Sequence, residues 1–212
     1  MLQRVYLLAR AICPNPGITE AFEDWGGAAR VGVVPLSRNR IYVFLVKTAA
    51  RGLPRQTRIG SIRAEFSGFS NPVPAVLDSL EEVDLLHHDI EELRRPVWGN
   101  KRTLLIGDAA HAMTPNQGQG ASMAIEDAIV VPQIINAPDA AAALAGLRQS
   151  RAAAMQRSSR WLGRLAHWQT PFAMSVRNSL LRNVPQSLRE RSYLRMIQAG
   201  MKLDQGKGPS DS

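Results

Sequence analysis

The chain has 212 residues, of which 45% are hydrophobic, so it is long enough to bury a sizeable core in one or two domains. Its single cysteine, Cys13, excludes a disulfide framework and favours a reducing compartment, so we expect a cytoplasmic protein. No uncharged apolar stretch approaches the roughly 20 residues of a membrane helix, and no transmembrane segment is expected. Arg10 interrupts the apolar start and no small-residue cleavage site follows, which argues against a signal peptide.

The net charge of +8 is concentrated at the carboxyl-terminal end. Residues 145–212 carry 12 Lys and Arg against 3 acidic residues, whereas residues 1–144 carry 14 against 15. A basic region suggests binding to nucleic acid or to an anionic surface. Solvated arginines on one face of a long helix are ordinary, however, so a nucleic-acid function is the weaker interpretation. The arginines of this predicted helix are Arg148, Arg151, Arg157, Arg160 and Arg164.

The first half of the chain predicts part of a β-sheet. Residues 29–36 and 40–48 have the pattern of two strands, joined by a turn at residues 37–39. The loop 51–60 is rich in charge and Gly, and the proline-bounded stretch 71–83 then has the apolar spacing of a helix.

A short apolar run at residues 103–106 predicts a buried strand that stops at Gly107 and Asp108. Ligands of open α/β sheets sit at the carboxyl ends of strands. An ionised Asp at such an end can accept two hydroxyl hydrogen bonds. We therefore expect Asp108 to bind the vicinal hydroxyls of a ribose or ribityl chain.

A loop closed by Pro115 leads through Gly118, Gln119 and Gly120 into a predicted helix, which Pro132 should kink or end. Glycines let the backbone approach a planar ligand closely, and a helix N-terminus carries about half a positive charge. These features predict a flavin site. The expected apolar face of the helix comprises Ala121, Ala124, Ile125, Ala128 and Ile129.

Residues 107–128 read Gly-Asp-Ala-Ala-His, a Pro, Gly-Gln-Gly and Ala-Ile-Glu-Asp-Ala in that order. This order closely resembles the second flavin motif of the single-component FAD-dependent aromatic hydroxylases, the family of the para-hydroxybenzoate and salicylate hydroxylases. The resemblance covers roughly residues 20–165, including the stretches 23–26, 30–36 and 95–98. It implies that Asp108 binds the ribityl chain of FAD and that the following amides hold the pyrimidine edge of the isoalloxazine. The expected cofactor-binding residues are Gly107, Asp108, Pro115, Gly118, Gln119, Gly120 and Ala121.

The resemblance also implies the reaction. NADH or NADPH reduces the flavin, and a flavin hydroperoxide formed with O2 hydroxylates or epoxidises an aromatic or unsaturated small molecule. Arg30, Tyr42 and Phe44 on the expected substrate sheet, and Met113 beside the flavin, are the expected substrate contacts, although core packing explains each of them equally well. The reaction requires no metal.

Two motifs of the family do not occur in this sequence: the Gly-x-Gly-x-x-Gly turn for the FAD pyrophosphate and a later Asp-Gly motif. We therefore interpret the chain as the carboxyl-terminal half of such a monooxygenase, in a truncated or split form. The alternative is a non-catalytic remnant, a half-site module that requires a partner chain or an oligomer to supply the missing nucleotide-binding half.

The predicted fold class is α+β or α/β. It combines a partial FAD-binding domain of strand, loop and helix with part of a substrate-domain β-sheet and a helical carboxyl-terminal region, and the amino-terminal Rossmann half is absent. The expected division is a partial substrate-binding sheet domain at 1–95, the second half of the FAD-binding domain at 96–135, carboxyl-terminal helices at 136–203 and a disordered tail at 204–212.

Several other side chains have both a catalytic and a structural interpretation. No Ser or Cys nucleophile stands beside His111 in a recognisable signature, so we expect a packed, hydrogen-bonded histidine. Glu126 and Asp127 are better explained by capping and local ion pairs than by catalysis. Residues 87–89, His-His-Asp, are expected at the solvated surface rather than on a metal, because adjacent side chains diverge. The aromatic side chains expected in the core are Trp161, Trp168 and Phe172.

Overall fold

The computed structural model describes residues 5–49, 58–81 and 85–201. The chain forms two compact units, one of Met1–Ile90 with Arg164–Ser175 and one of Glu91–Gly163 with Val176–Ser212. Each unit has its own hydrophobic core. The predicted mixed α and β fold class is confirmed. The domain boundaries at residues 95, 135 and 203 stay a prediction, and the tail 204–212 lies outside the described residues.

The first unit is built on a five-stranded antiparallel sheet with the strand order β2-β3-β4-β1-β5. The two predicted strands and the turn between them are confirmed as β3 and β4. The sequence analysis did not identify β1, because its residues show no regular alternation of apolar and polar types. The strands are β1 Val5–Pro14, β2 Phe22–Trp25, β3 Ala29–Pro35, β4 Arg40–Ala49 and β5 Leu86–Ile90.

Two short helices, α1 at Ile59–Glu65 and α2 at Val73–Asp78, contribute to the core of this unit. Successive strand residues point to opposite faces, so alternate residues of β4 enter the same core. Residue Val83 of the predicted helix and most of the predicted loop 51–60 lie outside the described residues. The buried strand and helix residues include Val31, Val33, Ile41, Val43, Leu45, Ile62 and Val76.

The other face of the sheet carries three of the residues expected to contact substrate. Tyr42 and Phe44 alternate with the core positions of β4, and their ring centroids are 6.2 Å apart. Phe44 lies across Gly32 of β3, where any side chain would overlap the ring. Arg30 shares this face but is buried and forms an ion pair with Glu23, with Nη1 and Oε1 3.0 Å apart.

The second unit is mainly helical and also contains a small hairpin and a 3-10 turn, Pro115–Gln117. The predicted long helix that carries the five arginines is confirmed as α5, and parts of α5 and α6 belong to the first unit. The remaining elements are β6 Gly99–Asn100, β7 Thr103–Leu104, α3 Asp108–His111, α4 Gly120–Ile134, α5 Ala140–Ala166, α6 Pro171–Asn183 and α7 Gln186–Met201.

The buried strand predicted at residues 103–106 is wrong for this chain. Only Thr103 and Leu104 pair, with β6, in a two-stranded hairpin. Ile106 is 40% exposed. A strand becomes buried when other strands pair on both of its sides and elements cover its faces, and among the described residues only β6 pairs with β7.

Helix α4 buries the face opposite to the predicted one. Met123, Val130 and Ile134 are buried in the core of the second unit, whereas Ile125 and Ile129 are 62% and 48% exposed. Residues three, four and seven apart share one face of a helix, and α4 has apolar residues at this spacing on two faces. The buried face is the one that also carries carboxylates with partners on α5.

Predictions for Pro132 and for three aromatic side chains have clear outcomes, and the described helices can also be compared with a membrane span. Pro132 lies in the last turn of α4, and the helix ends at Ile134, as the sequence predicts. No helix among the described residues has the length and apolarity that crossing a bilayer requires. The core positions predicted for three aromatic side chains are wrong, because Trp161, Trp168 and Phe172 are 64%, 38% and 81% exposed.

Substitutions of two isoleucines on opposite faces of the five-stranded sheet test which face packs into the core. Ile41 is fully buried, whereas Ile12, on the neighbouring strand, is 43% exposed. Ile41→Ala should lower the free energy of unfolding by about 2–5 kcal/mol, because it removes buried methyl groups and leaves a cavity. Ile12→Ala should cost less than about 1 kcal/mol. Chemical denaturation measures both, and equal losses would contradict the assigned faces.

Candidate functional site

The motif begins with a tight turn into α3. Gly107 has φ 59° and ψ −141°, a combination that strongly favours glycine. A Cβ on Gly107 would lie 3.1 Å from the Cβ of Ala124, so a side chain would also push α4 away. The carbonyl of Gly107 accepts hydrogen bonds from the amides of Ala110 and His111, both at 2.9 Å. Glycine is therefore required both for the backbone conformation and for the close approach of α4.

Asp108 is the first residue of α3, and its side chain is exposed. A Cβ on Gly120 would lie 3.7 Å from Oδ1 of Asp108, so the carboxylate lies beside the first turn of α4. Because Gly120 has no side chain, the carboxylate lies close to the backbone of this turn. The structure thus brings together two residues that the sequence analysis assigned to one site.

The loop between α3 and α4 exposes its backbone. The 3-10 turn ends at Gly118, whose φ of 63° is left-handed. No atom of the described residues would lie within 4 Å of a Cβ on Gly118. Gln119 is the N-cap of α4 but makes no side-chain hydrogen bond to the first turn. Uncapped first-turn amides carry the positive end of the helix dipole. Pro115 and Ala121 are exposed on either side.

Helix α5 supports this loop with polar side chains. Oγ of Ser159 donates to the carbonyl of Thr114 at 2.5 Å, and the two hydroxyl oxygens are 2.9 Å apart. Nδ2 of Asn116 donates to the carbonyl of Ser159 at 2.7 Å. Nε2 of Gln156 donates to the carbonyl of Ala112 at 3.1 Å. These contacts anchor the backbone on both sides of residue 113.

A buried carboxylate, Asp127 of α4, connects the motif to α5. Its Oδ2 accepts from the amide of Gly107 at 3.0 Å and lies 2.6 Å from Nε2 of His111. Its Oδ1 accepts from Nε of Arg148 at 2.7 Å. The side chains of Asp127, His111 and Arg148 are fully buried.

A second carboxylate, Glu126, pairs with two arginines of α5, and one of them also contacts α7. Nη1 of Arg148 lies 2.6 Å from Oε2 of Glu126, and Nη2 of Arg151 lies 2.9 Å from Oε1. Arg151 also donates to the carbonyl of Met196 at 3.0 Å. The predicted ion pairs of Glu126 and Asp127 are confirmed. The prediction that they are local is wrong, since the partners lie 21 and 25 residues away.

The hydrogen bonds of this network keep both carboxylates ionised. Burial alone would raise the pKa of Asp127, but hydrogen bonds from His111, the Gly107 amide and Arg148 hold the pKa below its ordinary value. Burial opposes ionisation of Glu126 in the same way, and Arg151 and Arg148 lower its pKa. Because an ionised carboxylate only accepts, Nε2 of His111 carries the proton and donates to Asp127.

The expectation that the arginines of α5 are solvated is wrong for two of the five. Arg148 is fully buried and Arg151 is largely buried, whereas Arg157 and Arg164 are exposed and Arg160 is half-buried. The helix period places Arg148 and Arg151 on the face that meets α4. Arg148 is therefore not available to bind nucleic acid.

The substrate contacts expected from the sequence fall in both units. Arg30, Tyr42 and Phe44 share one face of the sheet in the first unit. Met113 is half-buried against the core of the second unit. Among residues 5–49, 58–81 and 85–201, no group of three or more His, Cys, Asp or Glu is arranged to hold a metal ion.

The supporting role of three α5 residues was not predicted from the sequence: Arg148, Gln156 and Ser159. The sequence does contain a signal for the ion pairs. Two adjacent acidic residues on α4 require counter-charges if they are buried, and α5 carries two arginines three positions apart that can supply them. The hydrogen bonds of Gln156 and Ser159 to backbone carbonyls leave no comparable signal in the sequence.

The family model of an FAD binding domain matches residues 26–155. The chain belongs to this FAD-binding family. It is 36% identical over 187 residues to 2-heptyl-3-hydroxy-4(1H)-quinolone synthase of Pseudomonas aeruginosa. This alignment covers 84% of the present chain and 48% of the quinolone synthase. The chain is 33% identical over 187 residues to aurachin C monooxygenase/isomerase of Stigmatella aurantiaca, covering 84% of this chain and 49% of the relative. The chain spans about half the length of these curated relatives.

Two solved structures share the fold of this chain. HpxO of Klebsiella pneumoniae, complexed with FAD and uric acid, has a TM-score of 0.76 at 24% identity. The superposition covers 100% of the present chain and 56% of the HpxO chain. A salicylate hydroxylase substrate complex has a TM-score of 0.65 at 18% identity. Its superposition covers 99% of the present chain and 59% of the hydroxylase chain. The resemblance to the FAD-dependent aromatic hydroxylases is confirmed.

Removing the buried cation tests the energetic importance of the network. Arg148→Met should lower the free energy of unfolding by about 3–5 kcal/mol, because it leaves Asp127 buried without its counter-charge. The matched control is Arg157→Met on the exposed side of the same helix, which should change stability by no more than about 0.5 kcal/mol. Urea denaturation measures both, and similar losses would show that the ion pair contributes little.

The depressed pKa values predict a pH dependence. A carboxylate whose pKa is lower in the folded state stabilises the protein above its ordinary pKa of about 4, and this contribution is lost as the pH falls through the folded-state value. The free energy of unfolding should therefore fall more steeply between about pH 5 and pH 2 in the unmodified chain than in the double variant Glu126→Gln, Asp127→Asn. Parallel curves would contradict the stated pKa directions.

Proposed function

We propose that this chain forms the flavin-holding part of an FAD-dependent monooxygenase. The observation that carries the proposal is the exposed Asp108 carboxylate beside Gly120, at the uncapped N-terminus of α4. Membership of the FAD-binding family and the names of the relatives support it.

The residues present fit a flavin. An exposed carboxylate at a fixed turn suits a polyol, since it accepts hydrogen bonds from hydroxyl groups. The open space beside Gly118 and the missing side chain of Gly120 leave the backbone amides accessible to a flat ring. The positive end of the helix dipole favours the electron-rich edge of such a ring.

When bound, FAD would supply the redox chemistry, accepting electrons from NADH or NADPH and activating O2 for transfer to a substrate. Asp108 would hold the ribityl hydroxyls. The first-turn amides of Gly120 and Ala121 would stabilise negative charge on the reduced ring, because they are oriented before the charge develops. The anchored Pro115 loop would help to exclude water.

We propose small aromatic or unsaturated molecules as the substrate class. Tyr42 and Phe44 present rings on the sheet face opposite the core, and Gly32 leaves Phe44 flat against the sheet. Arg30 is already neutralised by Glu23, so it is a weaker candidate for binding an acidic group. A relative from Klebsiella is named a urate hydroxylase, and the Pseudomonas relative is named for a quinolone.

A second candidate function is a half-site that requires a partner chain. The exposed Ile125 and Ile129 of α4 favour it, as does coverage of only 48% of the Pseudomonas relative. In this form the chain would supply Asp108 and the α4 N-terminus, and the partner would supply the remaining nucleotide-binding residues. A purified chain that stays colourless with excess FAD would support this form.

Removing the Asp108 carboxylate tests the proposed flavin contact. Asp108→Ala should weaken FAD binding by about 1–3 kcal/mol, because the charged hydrogen bonds to the polyol are lost. Quenching of flavin fluorescence on titration measures the dissociation constant. The control Asp78→Ala removes a carboxylate that is 80% exposed in the first unit and should leave the constant unchanged. An unchanged constant in Asp108→Ala would contradict the assignment.

A further inference from the structure

One carboxylate oxygen fixes both ends of the turn that carries Asp108. Oδ2 of Asp127 accepts from the amide of Gly107, just before Asp108, at 3.0 Å. The same oxygen accepts from Nε2 of His111, the last residue of α3, at 2.6 Å. No other pair of contacts described for this turn connects its two ends to a single atom outside it.

The fixed charge of Asp127 depends on α5. A buried carboxylate is costly unless it is paired and hydrogen-bonded. Arg148 supplies the counter-charge on the other oxygen, with Nε and Oδ1 2.7 Å apart, and both side chains are fully buried. Since Arg148 occupies Oδ1, Oδ2 is left for Gly107 and His111.

The backbone of the turn needs such an external constraint. Gly107 has φ 59° and ψ −141°, and glycine adopts many other conformations at little cost. Helix α3 is only four residues long, so its own hydrogen bonds hold it weakly. The direction of the Asp108 side chain therefore depends on where the Gly107 amide and the His111 ring are held.

We propose that Asp127, paired with Arg148, is a positioning residue of the flavin site. It orients the turn so that the Asp108 carboxylate lies beside the first turn of α4 and faces the FAD polyol. This inference rests on the proposed function of Asp108 as a flavin contact. It assigns different roles to the adjacent carboxylates Glu126 and Asp127, since the partners described for Glu126, Arg148 and Arg151, lie outside the turn.

A role in helix packing alone is the competing explanation. Arg151 provides the matched control, because it joins α5 to Glu126 and to the carbonyl of Met196 but makes no described contact with residues 107–111. Both Asp127→Ala and Arg151→Met should lower the melting temperature. Only Asp127→Ala should weaken FAD binding, on the order of tenfold, because only it releases the turn.

A double-mutant cycle separates positioning from packing. If Asp127 acts through Asp108, Asp127→Ala should raise the FAD dissociation constant on the order of tenfold in the unmodified chain and less than about twofold in the Asp108→Ala background. Equal fold-changes in the two backgrounds would overturn the inference, and so would an equal effect of Arg151→Met. If Asp127→Ala fails to fold, Asp127→Asn replaces it, since a single amide oxygen cannot accept from both Gly107 and Arg148 in the observed positions.

Amide hydrogen exchange keeps the inference separate from the proposed function. Without FAD, the Gly107 amide should be protected in the unmodified chain and in Arg151→Met, and it should exchange faster in Asp127→Ala. A chain that binds no FAD on its own would count against the proposed flavin-holding chain and favour the half-site form, but selective loss of Gly107 protection would still uphold control of the turn by Asp127. Equal protection in all three proteins would overturn it.

Discussion

The ion pair between Asp127 and Arg148 is the interaction on which the second unit depends. It joins α4 to α5 with both side chains fully buried, and the same carboxylate holds the turn at Gly107. Because an unpaired charge in this position would cost several kcal/mol, the two helices adopt the register in which the pair forms. That register turns Ile125 and Ile129 outward and places the N-terminus of α4 beside Asp108.

Helix α5 therefore has a larger role than its composition suggests. Arg148 reaches the turn before α3 through Asp127, while Gln156 and Ser159 hold the loop after it through backbone carbonyls. The supported loop keeps its glycine-rich backbone exposed, which is the arrangement a planar cofactor needs. In the first unit, one face of the five-stranded sheet packs into the core, and the other face carries the aromatic rings.

The sequence predicted the features that depend on local chemistry. The strands β3 and β4 and the entry into α4 through Gly118, Gln119 and Gly120 follow from residue types within a few positions. The buried face of α4 and the burial of Arg148 were not predicted, because each depends on a partner 21 or more residues away. The strand at residues 103–106 was overpredicted, since its apolar pattern indicates burial but does not identify the neighbouring strand that would provide it.

We propose that a turn held by Asp127 presents Asp108 and the α4 N-terminus to a flavin. A crystal structure of the chain grown with saturating FAD would show whether these contacts form. The proposed role of Asp127 predicts an Asp108 carboxylate oxygen about 2.5–3.0 Å from a ribityl hydroxyl, and a Gly107 amide still bonded to Asp127. Flavin bound away from α4, or an Asp108 side chain without contact to the bound flavin, would contradict it.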